Sequence, residues 1–151
     1  MKKIELSPGV FTVELAEGEA INWDASFGKN DSLTELHIPD GAVAISEKSF
    51  SFCENLRRIY MPKSIAHLGH AIFYGTYNHI EIIYAGTEEE FRALAATRRV
   101  NRSVQVPGKY DHQPYCNTEG TYYEDREKKE YFHAFCKSCE VICADGARLK
   151  Y

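Results

Sequence analysis

The chain has 151 residues, of which 44% are hydrophobic and 26% are charged, and these proportions are typical of a globular protein rather than a disordered one. Its formal net charge of −4 argues against a nucleic-acid-binding surface, which would need concentrated positive charge. No stretch of the sequence approaches the roughly 20 apolar residues that are needed to span a bilayer.

The first residues resemble the start of a signal peptide only in their two lysines, because Glu5, Ser7 and Pro8 interrupt the apolar run that must follow. We therefore expect a cytoplasmic protein, or a secreted or surface-attached one if a signal segment was removed. The five cysteines are odd in number and lie mostly in the last third of the chain. This pattern fits reduced thiols or metal ligands better than a disulfide framework.

An internal repeat runs through the first half of the chain. Residues 33–39 align with residues 56–62, which gives a period of 56 − 33 = 23 positions. The same spacing relates further pairs, namely Ile45 with Leu68, Phe50 with Phe73, and Asn55 with Asn78. Stepping back by one period adds Val10, Val13 and Leu15, and stepping forward adds Ile82 and Tyr84. So many matches at one spacing predict a repeat array over residues 10–85.

The spacing of apolar residues within each unit predicts how the units fold. Apolar side chains at the first, fourth and sixth places point inward from a short strand, while the residues between them face solvent. Pro39 and Pro62 end two of these strands, since proline cannot donate the next ladder hydrogen bond. The return limb supplies a second apolar wall through Val43, Ile45, Phe50, Ile65, Leu68 and Phe73. One unit cannot bury its own apolar face, so the pattern predicts a stacked solenoid.

Asn30, Cys53 and Thr76 occupy one equivalent place in successive units. A small polar side chain at a solenoid turn is well suited to bond backbone groups of neighbouring turns. We therefore interpret Cys53 as a structural residue rather than a reactive thiol.

Several segments of the chain resemble the BspA-type leucine-rich repeats. They are Leu-His-Ile-Pro-Asp-Gly-Ala-Val-Ala-Ile at 36–45, Lys-Ser-Phe-Ser-Phe-Cys at 48–53, Asn-Leu at 55–56, Tyr-Ala-Gly-Thr-Glu-Glu-Glu-Phe at 84–91, and Val-Ile-Cys-Ala-Asp-Gly at 141–146. The resemblance implies a mostly bacterial or protist family whose members are often secreted or surface-attached. It also implies binding of proteins or host matrix rather than catalysis.

The outward-facing residues of successive strands are predicted to form rows. The three predicted rows are Glu14, His37, Tyr60 and Ile83; Phe11, Thr34, Arg57 and Ile80; and Thr12, Glu35, Arg58 and Glu81. Aromatic residues mixed with arginines are typical of contact surfaces, although an ordinary solvated sheet face is the alternative. The candidate partner-binding residues are Phe11, Glu14, Glu35, His37, Arg57, Arg58, Tyr60, Ile80 and Ile83. So few repeats suit a peptide, a protein edge or a second copy of the chain.

After Tyr84 the sequence changes to a helical pattern. Thr87 followed by Glu90 is a capping box, and three acidic residues stand at the positive end of the helix. Phe91 and Leu94 share one helical face, so we expect a helix that ends near Thr97 and covers the open end of the solenoid.

Residues 104–140 do not follow the repeat. Strand-like pairs at 122–123 and 131–132 flank a charged turn at 124–130, which predicts a β-hairpin inserted ahead of a final strand. The sequence therefore predicts a solenoid with its capping helix at 1–97, an inserted hairpin at 98–140, and a final strand at 141–151 that returns to the solenoid. The predicted fold class is α/β, mostly β.

A possible metal site flanks the predicted hairpin. His112 and Cys116 precede it, and Cys136 and Cys139 follow it, in the layout of a zinc ribbon. Four protein ligands would make a closed structural site, with no open position for a reactive water. The alternative is a set of thiols without metal. One structural zinc is thus the only cofactor that the sequence suggests.

No catalytic motif is present: the sequence contains neither a G-x-S-x-G elbow, a Walker-type loop nor an H-E-x-x-H pair. The main prediction is a non-enzymatic protein-binding module whose partner is a protein or peptide, with self-association through exposed strands at the solenoid ends as a further possibility. The alternative is a zinc-ribbon-bearing regulator whose C-terminal appendage contacts nucleic acid or a partner complex. A bound metal together with a positive patch around Arg98, Arg99 and Arg102 would favour it.

Overall fold

The computed structural model describes residues 1–16, 20–21, 30–46, 48–69, 72–96 and 139–151, and the backbone of 122–124 and 129–131. In these ranges the elements are β1 (Lys2–Ser7), β2 (Val10–Glu14), β3 (Glu35–His37), β4 (Ala44–Ile45), β5 (Arg58–Met61), β6 (His67–Leu68), β7 (Glu81–Tyr84), α1 (Glu88–Ala96), β8 (Tyr122–Glu124), β9 (Lys129–Tyr131), β10 (Glu140–Cys143) and β11 (Arg148–Lys150). The described part of the chain is thus mostly strand with one helix.

The described residues form a main sheet of seven strands in the order β1-β2-β3-β5-β7-β10-β11. The five inner strands are parallel, and β1 and β11 are antiparallel additions at the two edges. Leu36 of β3 pairs with Ile59 of β5, which pairs with Ile82 of β7. These residues are 59 − 36 = 23 and 82 − 59 = 23 positions apart, so the period seen in the sequence is the spacing of neighbouring strands in this part of the sheet.

The register of the first strand differs from the predicted one. Phe11 of β2 pairs with Leu36, so the offset between these strands is two positions longer than the repeat period. The predicted alignment of Val13 with Leu36 is therefore wrong, because the connection from β2 to β3 is longer than the corresponding connections within the repeat. In the observed register, Phe11 and Val13 are both buried on the inner face of the sheet.

A second layer of short strands faces the main sheet. Strands β4 and β6 pair in parallel, with Ile45 opposite Leu68, and Ile21 forms a parallel bridge to Ile45. The core lies between the two layers and is lined by large buried side chains. Among the most deeply buried are Ile21, Leu33, Leu36, Ile45, Phe50, Leu56, Ile59, Leu68, Phe73 and Phe91. The apolar places of the repeat are thus the residues that hold the two layers together.

The turn position shared by Asn30, Cys53 and Thr76 bonds backbone groups, as predicted. The Thr76 hydroxyl accepts the backbone N–H of Cys53 at 3.0 Å and donates to the carbonyl oxygen of Phe50 at 2.8 Å. The Asn30 Oδ1 atom accepts the backbone N–H of Leu33 at 3.2 Å. Burial raises the pKa of the Cys53 thiol to about 11, so the thiol stays protonated near neutral pH. Cys53 therefore has the environment of a structural residue.

Helix α1 begins with the predicted capping box. The Thr87 hydroxyl accepts the backbone N–H of Glu90 at 3.2 Å, and the Glu90 carboxylate accepts the backbone N–H of Thr87 at 2.8 Å. Phe91 is buried, and its ring lies 5.3 Å from the ring of Tyr84 and 5.7 Å from that of Tyr151. The helix is therefore packed against both the end of β7 and the residue that follows β11.

The last strands return the chain to the main sheet. Strand β10 pairs in parallel with β7, and the turn after it contacts the helix: the Asp145 carboxylate accepts the backbone N–H of Glu88 at 3.1 Å. Strands β8 and β9 pair antiparallel, with Tyr122 opposite Tyr131. Of the charged turn predicted at 124–130, the structure assigns position 124 to β8 and positions 129 and 130 to β9, while 125–128 lie outside the described residues. Among the described residues, no helix has the length and apolar character needed to cross a membrane.

Candidate protein-binding surface

The face of the main sheet that points away from the core carries two rows of side chains. Residues that are directly opposite on neighbouring strands share a face, and residues two apart on one strand do so as well. The central row consists of Ile4, Thr12, His37, Tyr60, Ile83 and Ile142. The charged row consists of Glu35, Arg58, Glu81 and Glu140. We call this side of the sheet the outer face.

The middle of the central row is an ordered aromatic pair. The rings of His37 and Tyr60 are stacked, with centroids 4.2 Å apart and planes 15° from parallel. The Thr12 hydroxyl donates to the carbonyl oxygen of His37 at 2.7 Å, which ties β2 to β3 beside this pair. Ile83 and Ile142 continue the row on β7 and β10, and both are half-buried. The row therefore presents an apolar and aromatic strip across neighbouring strands.

The charged row is internally compensated. Arg58 donates to the Glu81 carboxylate at 3.0 Å and lies 4.0 Å from that of Glu35, which is in turn 2.6 Å from the Nε2 atom of His37. The hydrogen bond with Glu81 raises the pKa of the Arg58 guanidinium. These ion pairs hold the side chains in place beside the aromatic pair.

The far end of the charged row has its own cationic partner. Arg148 donates to the Glu140 carboxylate at 2.8 Å, and this hydrogen bond lowers the pKa of Glu140. His79 lies 3.9 Å from the same carboxylate. Glu140 is thus held ionised at neutral pH and is poorly suited to act as a general acid.

The structure brings together five of the nine predicted partner-binding residues, namely Glu35, His37, Arg58, Tyr60 and Ile83. The predicted exposure of Phe11 and Ile80 is wrong, since the structure buries both, at 4% and 0% exposed. Phe11 faces the core because it lies two residues before Val13 on β2, and residues two apart on one strand share a face. One repeat period after Leu56 is position 79, but His79 is exposed. The next residue, Ile80, is buried instead. The apolar side chain of that unit is therefore supplied one position later than the period predicts.

The two remaining predicted residues, Glu14 and Arg57, are exposed but lie apart from the rows. Glu14 is 3.8 Å from Lys2 of β1, and Thr12 rather than Glu14 is the neighbour of His37. The Arg57 guanidinium donates to the backbone carbonyls of Glu54 and Leu56, at 3.1 and 3.2 Å, in the turn that precedes β5.

Sequence reasoning missed the contribution of β10 to the outer face. A signal for it exists: Glu-Val-Ile-Cys at 140–143 repeats the pattern of Glu-Ile-Ile-Tyr at 81–84. The two segments pair residue by residue, with Glu140 opposite Glu81 and Ile142 opposite Ile83. An alignment of these short segments alone would have predicted that Ile142 extends the central row.

The predicted zinc site cannot be assembled from the described residues. Cys139 is buried in the core, and its backbone exchanges two hydrogen bonds with Tyr151, at 2.7 and 2.8 Å. The other predicted ligands, His112, Cys116 and Cys136, lie outside the described residues, as do Arg98, Arg99 and Arg102. Within the described part of the chain, no group of three or more His, Cys, Asp or Glu side chains is placed to hold a metal ion. Zinc binding stays a prediction, which metal analysis of the purified protein tests.

Comparison with known proteins gives one match. Residues 21–95 match the family model for the BspA type Leucine rich repeat region, in six copies. No curated protein and no solved structure matches the chain. The matched segment contains β3 to β7, the bridge at Ile21 and nearly all of α1. Through this segment the chain belongs to the BspA-type leucine-rich-repeat family.

Proposed function

We propose that this protein is a non-enzymatic interaction module that binds a protein or peptide partner through the outer face of its main sheet. The observation that carries the proposal is the central row, in which the stacked His37–Tyr60 pair is continued by Ile83 and Ile142. Aromatic residues at the centre of a rigid surface are typical hot-spot residues, because they bury a large area with little loss of side-chain freedom.

The charged row supports binding by lowering the cost of covering this face. A partner that covers Glu81 or Glu140 does not have to bury an isolated carboxylate, since Arg58 and Arg148 already neutralise them. The parallel backbone ladder on both sides holds these side chains before the partner arrives, so little ordering entropy is lost on binding.

Two further features favour binding over catalysis. The ionisable side chains of the outer face are held by ion pairs rather than placed beside a nucleophile. Burial raises the pKa of the thiols of Cys53 and Cys143, so neither is activated as a thiolate. Membership of a repeat family whose modules typically lack catalytic activity agrees with this proposal.

We further propose that residues 1–97 form a short solenoid, with α1 covering part of its core. Residues 98–140 are then an inserted appendage that contains the β8–β9 pair, and residues 141–151 close the sheet. The pairing of β10 with β7 supports this division, because Ile82 and Val141, far apart in the chain, take adjacent places in one sheet. The inserted segment thus follows α1 and leads into β10, which pairs with β7, the strand that precedes α1.

The proposed function is tested by capturing proteins from a lysate of the source organism with the immobilised full-length chain. The variant Tyr60→Ala removes the centre of the row, and Tyr77→Ala is the matched control because Tyr77 is 90% exposed and lies outside both rows. We expect capture to fall by about tenfold or more with Tyr60→Ala and to be unchanged with Tyr77→Ala. A partner retained equally by the wild type and Tyr60→Ala would place the binding surface elsewhere.

A further inference from the structure

Strand β1 forms one edge of the main sheet and is exposed along its whole length. Every residue of Lys2–Ser7 is exposed, and among the described strands β1 pairs with β2 alone. Ile4 and Leu6 are two of the large apolar side chains left in solvent, at 36% and 57% exposed. An edge strand displays backbone N–H and C=O groups that another strand can take up, which proteins usually prevent with charge, bulges or a cover. The side chains of β1 indicate which strand fits.

A second copy of the chain can pair with β1 only in particular registers. When a strand pairs antiparallel with a second copy of itself about a two-fold axis, residue i of one copy lies opposite residue j of the other. The sum i + j is the same for every opposite pair in a given register, and opposite side chains share one face of the sheet. Because side chains alternate between the faces, a residue and its direct sequence neighbour cannot be opposite each other. The sum must therefore be even. Because the pairing of β1 with β2 is regular over Lys2–Glu5 and shifts between Glu5 and Ser7, the sums 6 and 8 give the longest regular overlaps.

The charges on β1 select between these registers. With the sum 6, Lys3 would face Lys3 of the second copy, and with the shorter register of sum 10, Glu5 would face Glu5 of the second copy. Like charges directly opposite each other destabilise a strand pair. With the sum 8, Lys3 faces Glu5 of the second copy twice, and Ile4 faces Ile4 at the two-fold axis. This register is complementary in charge and apolar at its centre.

The side chains of Lys3 and Glu5 are already positioned on one side of the edge. Glu5 is opposite Phe11 of β2, and its carboxylate accepts the backbone N–H of Gly9 at 3.3 Å. The Lys3 ammonium lies 5.1 Å from the centre of the Phe11 ring. Both are therefore on the inner-face side of β1, where they would meet across a two-fold axis, while Ile4 lies beside Thr12 on the outer face.

The opposite edge of the sheet has a different character. Strand β11 contains only Arg148, Leu149 and Lys150, so two copies paired about Leu149 would place Arg148 against Lys150 of the second copy. This pairing brings like charges together twice and is disfavoured. Self-complementarity is thus a property of β1 and not of both edges.

We propose that two copies of this chain associate through antiparallel pairing of their β1 strands, with Lys3 of each copy against Glu5 of the other. The pairing joins the two main sheets and places the two Ile4 side chains between the two central rows. It does not depend on the partner of the outer face, because it uses the sheet edge. An edge contact of so few residues buries less than a standard interface, so the dimer is expected to be weak and to form at high protein concentration.

The experiment is sedimentation equilibrium of the full-length chain over about 10 µM to 1 mM, a range suited to weak association. We expect the mass to rise with concentration from 17.2 kDa toward 2 × 17.2, about 34 kDa, and no further, because a two-fold interface closes on itself. The single variants Lys3→Glu and Glu5→Lys each create two like-charge contacts in the proposed register, so each should weaken association at least about tenfold.

Two further samples separate loss of pairing from misfolding. The double variant Lys3→Glu/Glu5→Lys exchanges the charges and should restore association to within about threefold of the wild type. An equimolar mixture of the two single variants should form a heterodimer more strongly than either variant alone, since their edges are complementary to each other. Circular dichroism and thermal melting establish that each variant is folded.

The proposal is overturned by a wild type that remains at 17.2 kDa throughout the range. It is also overturned by association that both single variants leave unchanged, or by mass that grows without limit, which indicates head-to-tail assembly. Failure of these experiments leaves the outer-face proposal intact, because Tyr60 is three strands from the edge of the sheet.

Discussion

The middle of the main sheet and its two ends are built from the same kind of strand but follow different rules of spacing. In the middle, Leu36, Ile59 and Ile82 are neighbours at a constant offset of one repeat period. At one end the offset from Phe11 to its neighbour is longer than the period, and at the other Val141 reaches Ile82 only after the long insertion. The inward positions are apolar in all cases. The comparison shows that burial of one face determines the register of a strand, whereas the length of the connection is free to vary.

The difference also affects stability. A middle strand has a neighbour on both sides, while β1 and β11 have one each among the described strands. In repeat arrays each unit is stabilised mainly by its neighbours, so the ends open at lower free energy than the middle. The predictions below start with the largest effect that this contrast implies.

The largest effect on stability is expected for a core leucine in the middle of the main sheet. Leu36→Ala removes a fully buried side chain between two neighbouring strands and should lower the free energy of unfolding by about 2–5 kcal/mol. Leu149→Ala on the edge strand β11 is the matched comparison, and its cost should be at or below the lower limit of that range, because the end of the sheet can relax. Urea denaturation of both variants measures the two values. Equal losses would show that the end is as tightly packed as the middle.

The next largest effect on stability is expected for a glycine in the middle of the repeat region. Gly75 has a φ of +72°, and a Cβ atom there would lie 2.5 Å from the Phe52 ring. Gly75→Ala should therefore lower the free energy of unfolding by about 1–3 kcal/mol, from backbone strain and steric overlap together. Gly146→Ala is the control at the C-terminal end, because Gly146 has a φ of +85° but open space around it. If Gly146→Ala lowers the free energy of unfolding by less, the difference measures the steric overlap at position 75. Equal losses would contradict contact between Gly75 and Phe52.

A smaller, pH-dependent effect is expected where the C-terminal turn contacts the helix. The Asp145 carboxylate accepts the backbone N–H groups of Glu88 and Ala147, and these hydrogen bonds lower its pKa below the ordinary 3.8. Its contribution to stability is therefore present above that value and is lost as the pH falls through the lowered pKa. Asp145→Ala should reduce Tm slightly at neutral pH, and the difference from the wild type should shrink as the pH is lowered toward about 2.

Asp40→Ala, in an exposed turn, is the control for this prediction because it removes a carboxylate of the same type. Thermal melts of the two variants and the wild type, at several pH values, give the comparison. A Tm difference for Asp145→Ala that persists unchanged at the lowest pH would show that the ionised carboxylate is not what stabilises the turn.

The regular part of the fold could be predicted from the sequence because its information is local and periodic. Leu36, Ile59 and Ile82 recur at one spacing, and Thr87 with Glu90 signals the start of the helix within a single turn. The same holds for the candidate site where it lies on β3, β5 and β7. His37 and Tyr60 were predicted to be neighbours, and they are stacked.

The rest could not be predicted because it depends on connections whose length carries no periodic signal. A strictly constant repeat period placed Phe11 and Ile80 on the outer face, while burial places both inside. A shift of one or two positions changes which side chain fills a core position, and only the three-dimensional packing decides between them. The contribution of Ile142 to the outer face is a different case: its signal is present in the likeness of 140–143 to 81–84, but a long insertion separates β10 from the repeat and hides the match from a periodic search.

The central claim is that the regular middle and the returning end form one binding surface. The most direct test is to measure the affinity of the captured partner for Ile83→Thr on β7 and for Ile142→Thr on β10, substitutions that keep β-branched side chains. If the outer face acts as one surface, both variants should bind about five- to tenfold more weakly than the wild type, with Tm changed little. Wild-type affinity in both variants, with the partner still bound by the folded chain, would contradict the claim.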